Sequence, residues 1–118
     1  MAEKDRLGRD GESLAARWLE ERGFTVVERN WRCAAGEVDL IVRRAGTTVF
    51  VEVKTRSSVA YGHPFEAITA AKAARLRRLA AEWCGAHGPV PGETRIDAIA
   101  VLAARGAEPS IEHLVGVA

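Results

Sequence analysis

Two strand-like segments joined by a tight turn constrain the fold of this chain more than any other feature. Residues 37–43 and 48–54 alternate valine, leucine or isoleucine with other side chains, which is typical of β-strands. Residues 44–47 connect them, and Gly46 can adopt the positive φ that a tight hairpin turn needs. If the turn is centred on Ala45 and Gly46, the numbers of paired residues sum to 91.

On this register the hairpin has one apolar face and one divided face. The apolar face should pack against a helix and consists of Val38, Leu40, Val42, Val49, Val51 and Val53. The divided face has Ile41 opposite Phe50 near the turn. At its other end the ionisable side chains collect, with Asp39 opposite Glu52 and Glu37 opposite Lys54.

Two carboxylates that face each other across a strand pair need compensation. Directly opposed Cβ atoms lie about 4.5–5.5 Å apart, and like charges at that distance destabilise the pair. A bound cation, a shared proton or Lys54 could offset the repulsion between Asp39 and Glu52. A hard cation such as Mg²⁺ takes carboxylate oxygens together with water and substrate phosphate. The pattern therefore predicts a divalent metal held against a phosphodiester, and the alternative is a surface hairpin with a cross-strand ion-pair network.

The rest of the chain predicts further helices and strands around this hairpin. We expect a helix over residues 5–22 ended by Gly23, a strand over 24–27, a loop over 30–36, a second helix from 65 or 66 to 84, and strands over 95–102 and 111–117. Turn-rich segments over 57–64 and 85–92 separate them. The order α-β-β-β-α-β-β predicts an α/β fold, a mixed sheet flanked by helices.

Length and composition narrow the class of protein. A chain of 118 residues suits one domain spanning 1–118. No run approaches the roughly 18 apolar residues of a membrane span, and the charged start does not resemble a signal peptide. Cys33 and Cys84 have no partner at zinc spacing, which predicts two free thiols in a reducing cytoplasm. The net charge of +1 does not by itself indicate a nucleic-acid binder.

Several segments carry a resemblance to a known family. An Asp on one strand followed by Glu-x-Lys on the next resembles the core motif of the restriction-endonuclease-like superfamily. More narrowly, the chain resembles the YraN family of small bacterial proteins, which is similar in fold to archaeal Holliday-junction resolvases. The resemblance covers residues 36–41 and 49–56, the pair Gly11-Glu12, residues 29–32, residues 62–64 with 66–69 and Lys72, and residues 95–97.

This resemblance implies a three-layer α/β/α restriction-endonuclease-like fold with a central mixed β-sheet. It also implies a Mg²⁺- or Mn²⁺-dependent endonuclease that hydrolyses the phosphodiester bonds of nucleic acid, structured or branched DNA in repair or recombination. Asp39, Glu52 and Glu12 would be metal ligands, and Lys54 would orient or activate water. The alternative is a non-catalytic nucleic-acid-binding module that keeps the fold and serves a DNA-processing partner. Resolvase-like folds often act as dimers, so a homodimer is a further expectation.

Other charged residues have both a supporting and a structural interpretation. Glu12 lies at the edge of the apolar stripe of its helix, and Glu37 could be a fourth acidic ligand or the ion-pair partner of Lys54. Lys72 falls inside an apolar stripe, which a phosphate contact, an ion pair with the acidic cluster or simple snorkelling would explain. Arg56 and Arg75 are candidate phosphate contacts.

Three residues outside the cluster have simpler interpretations. Asp97 shares a strand face with Arg95, which favours a structural ion pair. Trp31 is a packing residue that could also stack on a base. His63 has no second histidine or cysteine at metal spacing and is left out of the site.

Overall fold

The computed structural model describes residues 3–58, 60, 62–88, 90–104 and 106–118. Two α-helices and five strands follow each other in the predicted order. They are α1 (Glu3–Glu21), β1 (Thr25–Cys33), β2 (Gly36–Arg44), β3 (Thr47–Arg56), α2 (Ala70–His87), β4 (Glu93–Leu102) and β5 (Ser110–Leu114), with a 3₁₀ turn over Pro64–Ala67 before α2.

The strands form one mixed sheet in the order β1-β2-β3-β4-β5. Strands β3 and β4 pair in parallel, and the other neighbours pair antiparallel. The β2–β3 hairpin has the predicted register, since Ile41 pairs with Phe50 and Val42 with Val49. Both turn residues have positive φ, 50° at Ala45 and 81° at Gly46, as expected of a two-residue hairpin turn that matches the twist of its strands.

The two helices cover opposite faces of the sheet and give the predicted three-layer α/β/α arrangement. On the α1 side the buried cluster includes Ala15, Ala16, Leu19, Leu40, Val42, Val49, Val51, Val53, Ile99 and Val101. On the α2 side it consists of Val38, Ile41, Phe50, Leu76, Leu79, Trp83 and Ile96. Because each face of the central strands is covered by a helix, the strands read as nearly continuous apolar runs.

Helix α1 ends where the sequence predicts. Gly23 adopts a φ of 89°, the conformation that glycine tolerates best at a helix terminus. The backbone N–H groups of Arg22 and Phe24 both donate to the carbonyl of Leu19, at 2.9 and 3.1 Å. Phe24 is buried directly afterwards, so the chain turns back over the core as β1 begins.

Three predicted boundaries are wrong. The expected loop over residues 30–36 is mostly strand, because β1 continues to Cys33 and pairs with the start of β2. The second helix begins at Ala70 rather than 65 or 66, because the Thr69 side chain accepts the N–H of Lys72 and caps α2, and it runs on to His87. The last strand stops at Leu114, since Gly116 has a φ of 70°.

Parts of two predicted loops lie outside the described residues. These are Val59 and Tyr61 in the loop predicted over 57–64, and Pro89 in the connector predicted over 85–92. Within the part of the chain that is described, neither helix has the length and apolarity needed to cross a membrane.

Candidate active site

Strand β2 separates from β3 at the end of the hairpin that carries the acidic residues. The ladder between the two strands has Leu40 and Val51 as its last pair at this end. Beyond it, Oδ2 of Asp39 accepts the backbone N–H of Val53 at 2.7 Å. The prediction that Asp39 lies directly opposite Glu52 in a continuous ladder is therefore wrong, because a side-chain oxygen takes the N–H that a paired strand would have used.

The alternation of side chains also changes along β2. Val38 packs on the α2 side with Ile41 and Phe50, whereas Leu40 packs on the α1 side. Strict alternation would place residues 38 and 40 on one face, as the sequence predicted. The phase of the strand therefore shifts between them, and Asp39 turns from the α2 side toward α1.

This shift assembles three carboxylates from two elements. Glu12 of α1 and Glu37 and Asp39 of β2 each offer one oxygen, and these oxygens lie within 4.8 Å of one another. We name these three residues the acidic trio. Oxygens that coordinate Mg²⁺ lie about 2.1 Å from the ion, so the trio needs only small movements to bind one in common. The residues present therefore fit a hard divalent cation, and Glu37 belongs to the set while Glu52 lies outside it.

A close helix–strand approach delivers Glu12 to the trio. Gly11 is buried against β3, and a Cβ at this position would lie 1.9 Å from Oγ1 of Thr55. Any larger residue would push α1 away from the sheet. The glycine of the pair Gly11-Glu12 thus sets how near the carboxylate can come to β2.

Arginines compensate the acidic trio only in part, Arg32 through its ion pair with Glu37 and Arg29 through its charge near Glu12. Burial raises the pKa of Asp39 to about 8, and the charges of Glu52, Glu12 and Glu37 add to this effect, against a lowering by the Val53 N–H. Burial and the Glu37 charge likewise raise the pKa of Glu12, although hydrogen bonds with Asp39 and Asn30 oppose the rise. A cation that binds here would replace a proton and relieve the repulsion among the carboxylates.

Glu52 lies in a second group, together with two lysines. Its Oε1 is 3.3 Å from Nζ of Lys54 and 3.1 Å from Nζ of Lys72, which comes from the first turn of α2. Burial lowers the pKa of Lys54, and the adjacent Lys72 lowers it further. The three side chains are between 10% and 19% exposed. We name these residues the lysine pair with Glu52. The explanation for Lys72 that the structure supports is the ion pair.

The remaining predicted residues surround these two groups. Glu37 forms an ion pair with Arg32 and Lys54 forms one with Glu52, so the predicted Glu37–Lys54 ion pair is wrong; the β2–β3 ladder also ends before these two residues would face each other. Arg75 is exposed on α2, with its side chain beside Gly36 at the start of β2. Arg56 is exposed at the end of β3, where it donates to the Thr55 carbonyl.

Two residues next to the trio are not among the site residues predicted from the sequence. Arg32 forms an ion pair with Glu37, and the Asn30 side chain favours the ionised form of Glu12. An asparagine within a run of strand residues was the available signal, because asparagine tolerates positive φ better than most side chains. Trp31 beside them is half-buried on the α2 side and packs on the core cluster.

Comparison with known proteins identifies the family. The model of the uncharacterised protein family UPF0102 matches residues 11–101. The chain belongs to this family. It is 61% identical to a UPF0102 protein of Leifsonia xyli subsp. xyli over 117 residues, which is 99% of both chains. It is 57% identical to one of Beutenbergia cavernae over 117 residues, again 99% of both chains.

A more distant relative shows the same full-length match. A UPF0102 protein of Streptomyces griseus subsp. griseus is 52% identical over 118 residues, which is 99% of each chain. The likeness to the YraN family that the sequence predicted is thereby confirmed. The matched region includes all three residues of the acidic trio and all three of the lysine pair with Glu52.

Proposed function

We propose that this UPF0102 protein is a metal-dependent endonuclease that hydrolyses phosphodiester bonds of nucleic acid, with structured or branched DNA in repair or recombination as its substrate. The observation that carries the proposal is that the acidic trio and the half-buried lysine pair with Glu52 lie at the same end of the sheet, close enough that the charge of Glu52 raises the pKa of Asp39. Acidic and basic groups placed together in this way suit a cation and a phosphate that bind side by side.

Each group has a distinct part in the proposed reaction. Glu12, Glu37 and Asp39 would hold Mg²⁺ or Mn²⁺, which when bound polarises the phosphate and lowers the pKa of a bound water. Asp39 would give up its proton as the cation arrives, since its pKa is about 8. The trio would thus change from a protonated to an ionised state on loading.

The lysine pair faces the phosphate in this arrangement. Lys54 and Lys72 together carry one more positive charge than Glu52 neutralises, so the group retains a net charge available to a phosphate oxygen. Ammonium groups held in a partly buried site stabilise the charge that develops on the phosphorus oxygens better than mobile surface lysines do. In this proposal Glu52 holds the two ammonium groups in place. The metal-ligand role predicted for it stays a prediction.

The nucleic acid would approach from α2. Arg75, Arg77 and Arg78 are all exposed on this helix, which also supplies Lys72. Cationic side chains on this face could contact backbone phosphates, and such contacts weaken as salt rises.

Cys33 and Cys84 are both free thiols. A cytoplasmic location and action as a homodimer complete the proposal.

The test is a cleavage assay with Mg²⁺ and Mn²⁺ on four-way junctions, flaps, single strands, linear duplex and RNA. Asp39→Asn, Glu52→Gln and Lys54→Met should each reduce the rate at least about 100-fold, the size of effect seen when one charge-stabilising group is removed. Arg17→Gln, on the exposed face of α1, is the matched control and should cut normally. Asp39→Asn protein as active as the wild type would contradict the proposal. Salt-dependent DNA binding with neither metal binding nor cleavage would support a non-catalytic binding module instead.

A further inference from the structure

Asn30 has an unusual backbone conformation for a residue inside a strand. Its φ is +51°, in the left-handed region, although β1 continues on both sides of it. Ala45, in the β2–β3 turn, is the other described residue besides glycine with positive φ. A left-handed residue within a strand is strained and persists only where its surroundings hold it.

The side chains of β1 change phase at Asn30. Arg29 lies on the α1 side, where it donates to the hydroxyl of Ser13 in α1. Trp31 packs on the α2 side with the cluster around Leu79. In a regular strand residues 29 and 31 would lie on the same face. The left-handed φ of Asn30 accounts for the switch.

Strand β2 changes phase at the same place. Arg29 pairs with Leu40 on the α1 side, and Trp31 pairs with Val38 on the α2 side, so Asn30 lies opposite Asp39 by count. The register is the same on both sides of this position. The side chains of both strands therefore rotate at the same residue pair, Asn30 and Asp39.

The rotation decides where two carboxylates of the acidic trio lie. In a regular strand every second residue faces the same side. Without this rotation, Glu37 and Asp39 would therefore lie on the α2 side, together with Ile41 and with its cross-strand partner Phe50. Glu12 belongs to α1, on the opposite side of the sheet. The trio could then not bring its oxygens within 4.8 Å of one another.

We propose that Asn30 is a positioning residue of the acidic trio, whose left-handed backbone turns Asp39 and Glu37 toward α1 and whose carboxamide holds the Glu12 carboxylate. This inference rests on the proposed function in one respect, that the trio binds a divalent metal. The Asn30 side chain is close enough to Glu12 to favour its ionised form, so one residue acts on ligands of both elements. Groups that orient metal ligands typically affect metal affinity by 10- to 100-fold when they are mutated.

Two substitutions separate the roles of backbone and amide. Asn30→Gly keeps access to positive φ and removes the amide, whereas Asn30→Val removes the amide and disfavours the left-handed backbone. Ala45→Val is the matched control, because Ala45 has a φ of 50° at the far end of the hairpin. It introduces similar strain away from the trio.

The first measurement is Mn²⁺ affinity by isothermal titration calorimetry. We expect Asn30→Gly to weaken Mn²⁺ binding about tenfold and Asn30→Val about 100-fold, from the effect of groups that orient metal ligands. Ala45→Val should keep the wild-type affinity within about twofold, although its Tm falls as much as that of Asn30→Val. Folded Asn30 variants with wild-type Mn²⁺ affinity would overturn the inference.

The second measurement needs no metal. NMR contacts between the methyl groups of Val38 and those of the α2-side cluster, which includes Ile41, Leu76 and Leu79, report the α2-side position of Val38. They should persist in Asn30→Gly and be lost or redistributed in Asn30→Val. Unchanged contacts in Asn30→Val would overturn the positioning role. A wild-type protein that binds no Mn²⁺ but shows the expected methyl contacts would sink the proposed function and leave the positioning role standing.

Discussion

Two carboxylates in the same sheet, Asp39 in β2 and Asp97 in β4, have opposite surroundings. Asp97 is fully buried, yet it accepts two hydrogen bonds from Arg95 at 2.9 and 3.0 Å, one from His113 at 2.7 Å and one from the Gly116 N–H at 3.0 Å. Asp39 accepts one backbone N–H, from Val53, and otherwise lies among acidic groups.

The pKa values of the two groups shift in opposite directions. Burial on its own would raise the pKa of Asp97, but the hydrogen bonds from Arg95, Gly116 and His113 bring it below its usual 3.8. Burial raises the pKa of Asp39 to about 8, and Glu52 raises it further in the same direction. The partners of a carboxylate, and not its depth, therefore distinguish one that ties elements together from one suited to bind a cation.

The largest expected effect comes from removing the structural carboxylate, Asp97. Asp97→Ala should lower the free energy of unfolding by about 3–5 kcal/mol, because it leaves Arg95 and His113 without their buried partner and frees the Gly116 N–H. Urea denaturation at pH 7 measures the loss. Asp10→Ala, at an exposed position on α1, is the control and should change stability by less than about 0.5 kcal/mol. A loss below 1 kcal/mol for Asp97→Ala would show that the network contributes little.

The next effect is a gain in stability, expected when Asp39 is replaced. The pKa of Asp39 is about 8 in the folded protein and about 3.9 when unfolded, so the folded state binds more protons between these values. Stability then falls as pH rises from about 4 to 8. Asp39→Asn removes this effect and keeps an oxygen for the Val53 N–H. It should stabilise the metal-free protein at pH 8 by up to about 5 kcal/mol, the linkage for a pKa raised by about four units.

Urea denaturation in EDTA at pH 5 and pH 8 tests this sign. At pH 5 the folded carboxyl is protonated and only the unfolded one is ionised, so the variant and the wild type should differ by about 1.5 kcal/mol, far less than at pH 8. If Asp39→Asn destabilises the protein at pH 8, Asp39 is a structural carboxylate like Asp97 and the contrast between the two fails.

One part of the surroundings of Asp97, its ion pair with Arg95, is predictable from the sequence. Residues 95 and 97 are two apart on one strand, so a shared face and an ion pair follow from local alternation alone. The contacts of His113 and Gly116 come from a segment far along the chain, and alternation within β4 carries no information about them.

For the candidate site, the hairpin register was predictable and the grouping of its carboxylates was not. A two-residue turn with a valine-rich face determines which residues pair, and the structure agrees as far as Leu40 and Val51. Beyond that pair the prediction assumed that alternation continues. A single left-handed residue in the neighbouring strand, Asn30, changes the phase, and its effect depends on packing against both helices.

Adding a divalent metal tests whether Asp39 belongs to a cation-binding site. If the acidic trio binds Mn²⁺, a concentration about 30-fold above Kd should stabilise the wild type by about 2 kcal/mol. The gain at a fixed Mn²⁺ concentration should be larger at pH 8 than at pH 6, because Asp39 must lose its proton to bind. Thermal unfolding with Mn²⁺ or EDTA measures it. Asp39→Asn protein should show little gain, and an equal gain in both proteins would place the metal elsewhere.

The smallest expected effect tests whether the two carboxylate sites are independent. His113→Phe keeps a ring against Trp18 and Phe24 but removes the donor that lies 2.7 Å from Asp97. Arg95 and the Gly116 N–H still compensate the charge, so the loss of stability should be about 1 kcal/mol. Urea denaturation measures this, and Mn²⁺ affinity should stay at the wild-type value because His113 contacts neither the acidic trio nor the lysine pair with Glu52. A drop in Mn²⁺ affinity in His113→Phe would show that the packing of β5 reaches the acidic end of β2, and the two carboxylates would then have to be treated as one coupled system.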